Sequence, residues 1–338
     1  MAKQLGYACI NTSLRKQKVY TNRSMIRKTF DKKGLPYVSE LALQNVTDLK
    51  SIIQWNIDHG IMVYRMSSGM FPWMSEYEFT DLPDYDLISS TLREAGDLAQ
   101  SNGQRLSFHP GQFCVLSSPN EDVVNRSIDE LDKHSQIMDM MGLPTSNMAK
   151  INIHIGGAYG DKTSALQRFC DNFKRLHPNT QSRLTVENDD KASMYSVVDL
   201  YEGVYKVVGI PIVFDYYHHK FCTGDLTEQQ ALELAISTWD CKPCTHYSEC
   251  RRDEQKLIIE DICRSNNISM DELPSWPTLS SIYRDFQKTK QQAHSDYIVN
   301  YIDDYGHDID VVVEAKAKEV AVSRYLKKYS NKSELNFI

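Results

Sequence analysis

The chain has no long apolar run. Within its 338 residues the longest mostly apolar stretch, Val207 to Phe214, is broken by Gly209 and Pro211. That is far short of a bilayer span, so no membrane association is expected. The residues after Met1, Ala-Lys-Gln-Leu-Gly-Tyr, hold no apolar signal-peptide core. This predicts an intracellular protein, without indicating nucleus, organelle or cytoplasm. Cysteine is sparse, with 8 residues at irregular positions. That is no disulfide framework, and an intracellular compartment keeps thiols reduced. Repeats at solenoid or propeller periods and low-complexity tracts are also missing. With 41% hydrophobic and 25% charged residues, the collagen-like, coiled-coil and disordered classes are excluded. Positive charge is in deficit too: Lys+Arg 38 against Asp+Glu 45 gives a net charge of -7. A protein that merely coats nucleic acid draws on an excess of cations.

The cations that are present are unevenly placed. Arg15, Lys16, Lys18, Arg23, Arg27, Lys28, Lys32 and Lys33 follow one another against a single acid, Asp31. Alone, this segment reads as a solvated basic loop. The acid excess elsewhere admits a pocket of carboxylates that holds metal cations.

The length suits about two domains or one α/β barrel. Short β-rich runs alternate with amphipathic stretches along the chain. The runs are Leu5–Ile10, Ile61–Met66, Arg105–His109, Ile151–Ile155, Leu184–Glu187, Ile212–Asp215 and Asp310–Glu314, with a weaker one at Thr245–Tyr247. Most are rich in Val and Ile, as befits parallel strands covered on both faces. Helices are predicted over Asn45–His59, Asp84–Asn102, Glu121–Met141, Lys162–Leu176 and Thr227–Ser237, the first three closed by glycine stop signals. Eight such units predict a (β/α)8 TIM barrel, a single α/β domain over residues 1–325. An insertion at about 248–292, centred on Cys250–Gln292, decorates the connection between strands 7 and 8 with a helix or two. Residues 326–338 are read as a tail.

The informative pattern lies at the strand ends. They carry Asn11, Arg65, His109, His154, Glu187, Asp215, His246 and Glu314. In a β/α barrel these ends converge on one mouth, where catalytic residues sit. A crowded, partly dehydrated ring of imidazoles and carboxylates is costly unless cations hold it together. Mixed nitrogen and oxygen ligands suit Mn²⁺, Zn²⁺ or Fe²⁺ better than the all-oxygen shells of Mg²⁺ or Ca²⁺. His109-Pro110-Gly111-Gln112 is a rigid turn that presents Gln112 outward. His154 precedes Gly156-Gly157-Ala158-Tyr159-Gly160, a bend where backbone can approach a ligand. That segment lacks the Lys-Ser/Thr of a phosphate loop. Asp215 and His218, three apart, let one short loop supply two ligands. Cys241, Cys244, His246 and Cys250 resemble part of a zinc knuckle, though the spacing is not standard.

Together several motifs resemble the UV damage endonuclease family. They are Leu5-Gly6-Tyr7-Ala8-Cys9-Ile10-Asn11, Thr21-Asn22-Arg23, Tyr64-Arg65-Met66-Ser67-Ser68, His109-Pro110-Gly111-Gln112 and His154-Ile155-Gly156-Gly157. Further along stand Glu187-Asn188-Asp189, Asp215-Tyr216-Tyr217-His218-His219 and Val313-Glu314-Ala315-Lys316-Ala317-Lys318-Glu319. The likeness runs from the N-terminus to about Ser237 and resumes from Ala293 to Glu319. It implies a barrel related to endonuclease IV, with two or three divalent metal ions. Manganese is the first choice, zinc or magnesium the alternatives. It also implies incision immediately 5′ to a UV photoproduct, leaving a 3′-hydroxyl and a 5′-phosphate. The implied ligands are His109, His154, Glu187, Asp215, His218, His246, His294 and Glu314, with Glu187 the catalytic carboxylate. Tyr7, Asn11, Asn22, Arg23 and Arg65 would face the DNA, and Gln112 and Phe113 would probe the duplex opposite the damage. Two positions depart from the family. Phe113 replaces a usual tyrosine, and Cys244 stands where strand seven usually carries a lysine able to become a bridging carboxylate. Cys244 would then be either a thiolate ligand or a small buried residue.

The expected protein is therefore a metal-dependent DNA repair endonuclease acting as a monomer on damaged double-stranded DNA. One alternative is a metal-dependent sugar isomerase or epimerase on the same kind of barrel. Such an enzyme has no use for the basic segment or an exposed Gln-aromatic pair. The other is a non-catalytic lesion-binding protein.

Overall fold

The computed structural model describes residues 3–269, 272 and 280–329. Eight parallel strands run in chain order: β1 Gln4–Ala8, β2 Val63–Arg65, β3 Arg105–Ser107, β4 Ile151–Ile153, β5 Leu184–Glu187, β6 Ile212–Val213, β7 Cys244–Tyr247 and β8 Asp310–Val313. They pair as β3-β2-β1-β8-β7 and as β4-β5-β6. Single bridges, Phe108 with Ile151 and Asp215 with His246, join the two ribbons. Every neighbour is thus a sequence neighbour and the sheet closes on itself. This is the expected β/α barrel.

Alternation along the strands explains which side chains line the inside. In β4 and its flanks, Lys150, Asn152 and His154 alternate with Ile151, Ile153 and Ile155. The isoleucines belong to the main core under the helices, so the polar three point inward. Ala8, Val63, Cys244 and Val312 form a separate small apolar cluster. Each of the last three stands two residues before Arg65, His246 or Glu314, and so lies one layer beneath it. Below them Arg105 Nη1 donates to Asp310 Oδ2 at 3.0 Å, and Lys242 Nζ reaches Asp310 Oδ1 at 2.9 Å. The close approach of β1 to β2 needs Gly6, where a Cβ would lie 1.7 Å from the Val63 carbonyl oxygen.

The helices Tyr85–Ser101, Glu121–Met140, Lys162–Phe173 and Glu228–Ile236 form where their periodicity places them. The first helix after the basic segment differs. It spans Arg27–Asp58 with a break at Gly34, whose φ is +61°, just before Pro36. The sequence predicts this helix only over Asn45–His59; Gly34 and Pro36 would ordinarily end a helix, yet it continues across them because Val38, Ala42, Val46 and Leu49 bury one face. Arg27, Lys28, Lys32 and Lys33 therefore project from a helix rather than a loop. Between β7 and β8 stand helices Arg251–Asn266 and Ser280–Lys288, which share a small core of Ile259, Cys263, Ile268, Tyr283 and Phe286. Leu273 to Pro277 and the tail from 330 onward lie outside the described residues. Residues 326–329, read as tail from sequence, complete the helix Glu319–Tyr329. Among the described residues no helix is long and apolar enough to cross a membrane.

Candidate metal centre

Glu187, the last residue of β5, is the hub of the barrel mouth and is 1% exposed. Its Oε2 lies 3.2 Å from His109 Nε2, 3.9 Å from His154 Nε2 and 3.0 Å from His246 Nδ1. Its Oε1 lies 3.3 Å from His218 Nδ1. Glu314 extends the ring, with His246 Nδ1 at 3.4 Å and His294 Nδ1 at 3.6 Å. Asp215 Oδ2 lies 3.9 Å from His218 Nδ1. Among the described residues three groups place their ligand atoms close enough to share an ion: His109, His154 and Glu187; Glu187, His246 and Glu314; Glu187, Asp215 and His218. Glu187 belongs to all three. The structure thus brings together the eight residues nominated from sequence, with His294 at the edge through Glu314.

A metal-binding cluster should leave some of its ligand atoms without other partners, and this one does. Asp215 Oδ2 and His246 Nδ1 are buried without a geometrically aligned hydrogen bond. Buried polar groups are otherwise paired, so such orphans call for an ion or water. Most of the rings are oriented from behind, as ligating histidines usually are. Nδ1 of His109, His218 and His294 lies against the carbonyl oxygens of Pro110, Asn188 and Glu314 at 3.0, 2.9 and 3.0 Å. The donors, mixed nitrogen and oxygen, fit a divalent transition ion.

The electrostatics match. Burial pushes Glu187 upward, but His246 and His154 and hydrogen bonds from His109 and His246 outweigh it and hold the carboxylate well below its usual range. His154 is lowered by burial yet raised overall to about 9 by Glu187 and Asp189. Asp215 goes up to about 7, chiefly through burial and then the charges of Glu187 and Glu314, against the pull of His218. Burial lowers His246 to about 4 and also lowers His109. At Asp215, where burial and neighbouring carboxylates combine, a divalent cation would relieve the repulsion.

Four supporting residues had no role assigned from sequence, although Asn188 and Asp189 stand in the Glu187-Asn188-Asp189 motif. Asn152 Nδ2 donates to Glu187 Oε2. Asp189 Oδ1 lies 3.0 Å from His154 Nδ1. Asn188 exchanges hydrogen bonds with the Asp215 backbone, at 3.0 and 2.8 Å. Lys150 Nζ stands 3.1 Å from His246 Nε2. The period-two spacing of Lys150, Asn152 and His154 was the available signal, obscured by the isoleucines between them.

The DNA-facing candidates divide. Gln112 and Phe113 are exposed on the turn after β3, Phe113 at 82%. Tyr7 and Asn11 are buried: the Tyr7 hydroxyl donates to Asn56 Oδ1 and accepts from Asn11 Nδ2, and Asn11 Oδ1 caps Leu14 N. They are engaged in holding the loop after β1 and offer no group to solvent. Arg23 pairs with Asp48 at 2.6 Å and Arg65 pairs with Glu314, so neither guanidinium is free. Asn22 is half-buried on the same loop. Cys244 joins none of the three ligand groups.

A closed β/α barrel with a histidine-carboxylate cluster at its mouth defines a class of metal-site barrel. Comparison with known proteins narrows it. The family described as UV-endonuclease UvdE matches residues 3–338. A UV-damage endonuclease of Schizosaccharomyces pombe is 34% identical over 340 residues, covering 96% of this chain and 50% of that one. The present chain thus spans half the length of that relative. A UV DNA damage endonuclease of Bacillus mycoides is 31% identical over 290 residues, covering 83% of this chain and 80% of that one. The crystal structure of SacUVDE superposes with a TM-score of 0.78 at 29% identity, covering 100% of both chains. Endonuclease IV from Thermus thermophilus shares the fold alone, with a TM-score of 0.53 at 11% identity over 97% of this chain and 99% of that one. The chain belongs to the UV-endonuclease UvdE family and is an enzyme.

Proposed function

We propose that this enzyme incises duplex DNA immediately 5′ to UV photoproducts, leaving a 3′-hydroxyl and a 5′-phosphate. The observation that carries the reading is Glu187, shared by three groups of ligands at one mouth. His109, His154, Asp215, His218, His246, Glu314 and Glu187 would hold two or three divalent ions, manganese first, with His294 at the rim. Such ions, when bound, supply a hydroxide nucleophile near neutral pH and neutralise charge on the leaving 3′-oxygen. Asn152 keeps the Glu187 carboxylate in one orientation, and Asp189 does the same for the His154 ring. Buried Tyr7 and Asn11 fix the loop that carries the exposed cations Arg15, Lys16 and Lys18 beside the mouth. With Lys28, Lys32 and Lys33 they would contact phosphates.

A hydrolytic cluster attacks any phosphodiester presented to it, so selectivity rests on deformation. A pyrimidine dimer stacks poorly and costs less to kink or flip out, which a shape reader exploits without base-edge contacts. Phe113, exposed and unpacked, would fill the vacated space beside Gln112. The enzyme would act as a monomer within the cell. Metal analysis of the purified protein, combined with nicking of irradiated and untreated plasmid, tests the reading. Metal-dependent nicking confined to irradiated plasmid is expected; metal-loaded protein that nicks neither would end it.

A further inference from the structure

The five imidazoles of the mouth are not held alike. His109, His218 and His294 rest Nδ1 on a carbonyl oxygen, and His154 rests Nδ1 beside the Asp189 carboxylate. Each outer partner is an acceptor, which keeps the proton on that nitrogen and leaves Nε2 as the free lone pair. His246 is reversed. Its Nδ1 faces Glu187 and Glu314 at 3.0 and 3.4 Å, and its Nε2 faces the amine of Lys150 at 3.1 Å.

Lys150 is an unusual partner. It is wholly buried, and among the described residues no carboxylate lies within ion-pair distance of it. It precedes β4, on the inward face that Asn152 and His154 share, and its long stem runs up the barrel interior to the underside of His246. Burying an amine without a carboxylate partner disfavours the fold, so packing gives no reason for a lysine here. The ring geometry does. If the His246 ring turned over about its Cβ–Cγ bond, carbon atoms would replace both nitrogens, losing the contacts to Lys150 and to the carboxylates together.

We infer that Lys150 is a positioning residue of the metal centre, locking the His246 ring so that Nδ1 is the nitrogen offered to Glu187 and Glu314. The inference rests on the reading of His246 as a ligand, but the ring lock is measurable without metal. Lys150→Met keeps most of the stem and removes the amine, and Lys150→Gln restores a polar end. In the metal-free protein, the His246 imidazole ¹⁵N resonances should report one ring state in the wild type and a shifted or exchange-broadened signal in Lys150→Met. Titration with manganese alone should show at least about a twofold weaker affinity in Lys150→Met, because a ring free to turn over presents Nδ1 only part of the time. Lys150→Gln should recover part of it. The melting temperature of metal-free Lys150→Met should not fall, since a buried amine without a carboxylate partner has been removed. Unchanged His246 resonances in Lys150→Met overturn the lock. Affinity and metal-free melting temperature falling together in both variants would also overturn it, by showing that the side chain serves packing. A wild type that binds no manganese defeats the ligand reading, and the resonances still decide the lock.

Discussion

Replacing Glu187 by Gln tests the centre most directly. The substitution keeps the shape and removes one negative charge from the point where the three ligand groups meet. It also leaves Asn152, which now donates to Oε2, facing an amide that can offer either an oxygen or an amino group. The charge sits 3.0 to 3.9 Å from four imidazole nitrogens, so any cation these rings share lies within about 4 Å of it. At that distance one unit of opposite charge contributes about 4 kcal/mol in a protein environment of intermediate dielectric. A factor of ten in affinity corresponds to about 1.4 kcal/mol. A divalent ion doubles the Coulomb contribution, so removing the charge should weaken metal binding by at least roughly a thousandfold. Incision should fall at least as far, because both the ions and the orientation of the attacking water depend on this carboxylate. Damaged-DNA binding should survive, since Phe113 and the exposed cations are untouched. Calorimetric titration with manganese, nicking of irradiated plasmid and gel-shift binding measure the three quantities. A variant that binds manganese within tenfold of wild type and still cuts would refute the placement of the centre on Glu187.

Gln112→Ala combined with Phe113→Ala should reduce the preference for damaged over intact duplex more than it reduces total binding. Loss of a stacking ring costs roughly 1–3 kcal/mol, while phosphate contacts persist; an unchanged affinity ratio in competition binding removes the pair from lesion reading. In the metal-free protein Asp215, raised to about 7 by burial, binds its proton more tightly folded than unfolded. Its contribution therefore falls as pH rises from about 4 through 7, by at most about 1.4 kcal/mol per unit. Asp215→Asn should flatten that decline in urea denaturation, and equal slopes for wild type and variant would disprove the burial argument.

Much of the fold was legible because barrel strands announce themselves as short Val- and Ile-rich runs at regular intervals. Even the weak strand at Thr245–Tyr247 was found, starting one residue earlier, at Cys244. The centre was legible for a related reason: parallel strands in a barrel all end at the same face, so His109, His154, Glu187 and Asp215 converge whatever the details of packing. What sequence could not show was which polar groups already had partners. Tyr7, Arg23 and Arg65 carry groups DNA would want, but their partners Asn56, Asp48 and Glu314 stand 25 or more residues away along the chain, and Asn11 is engaged through Tyr7. Only the folded chain brings these pairs together. The early start of the helix at Arg27 was hidden by Gly34 and Pro36, which kink it where the hydrophobic face beyond them carries it on.

Cys244 is where the two readings of the sequence can now be weighed. As a thiolate it would have to reach ligand distance from at least two other donors at the mouth. Its side chain shares the inward face with His246 but lies one layer lower, and at that level it packs with Ala8, Val63 and Val312. It is 1% exposed and joins none of the three ligand groups. Its sulfur therefore lies below the ring of imidazoles and carboxylates, among packing neighbours, and the geometry supports the buried-residue reading. The centre is then built from imidazole and carboxylate donors alone, a set without the soft sulfur that would tilt it towards zinc. Cys244→Ser should accordingly leave manganese stoichiometry and incision close to wild type. It should lower stability by about 1–2 kcal/mol, because a hydroxyl is more costly to bury among apolar side chains than a thiol. Metal analysis and urea denaturation of the same preparation separate the outcomes. Loss of one bound ion with little loss of stability would instead make sulfur a ligand and require the strand-seven layer to rise towards the mouth when metal binds.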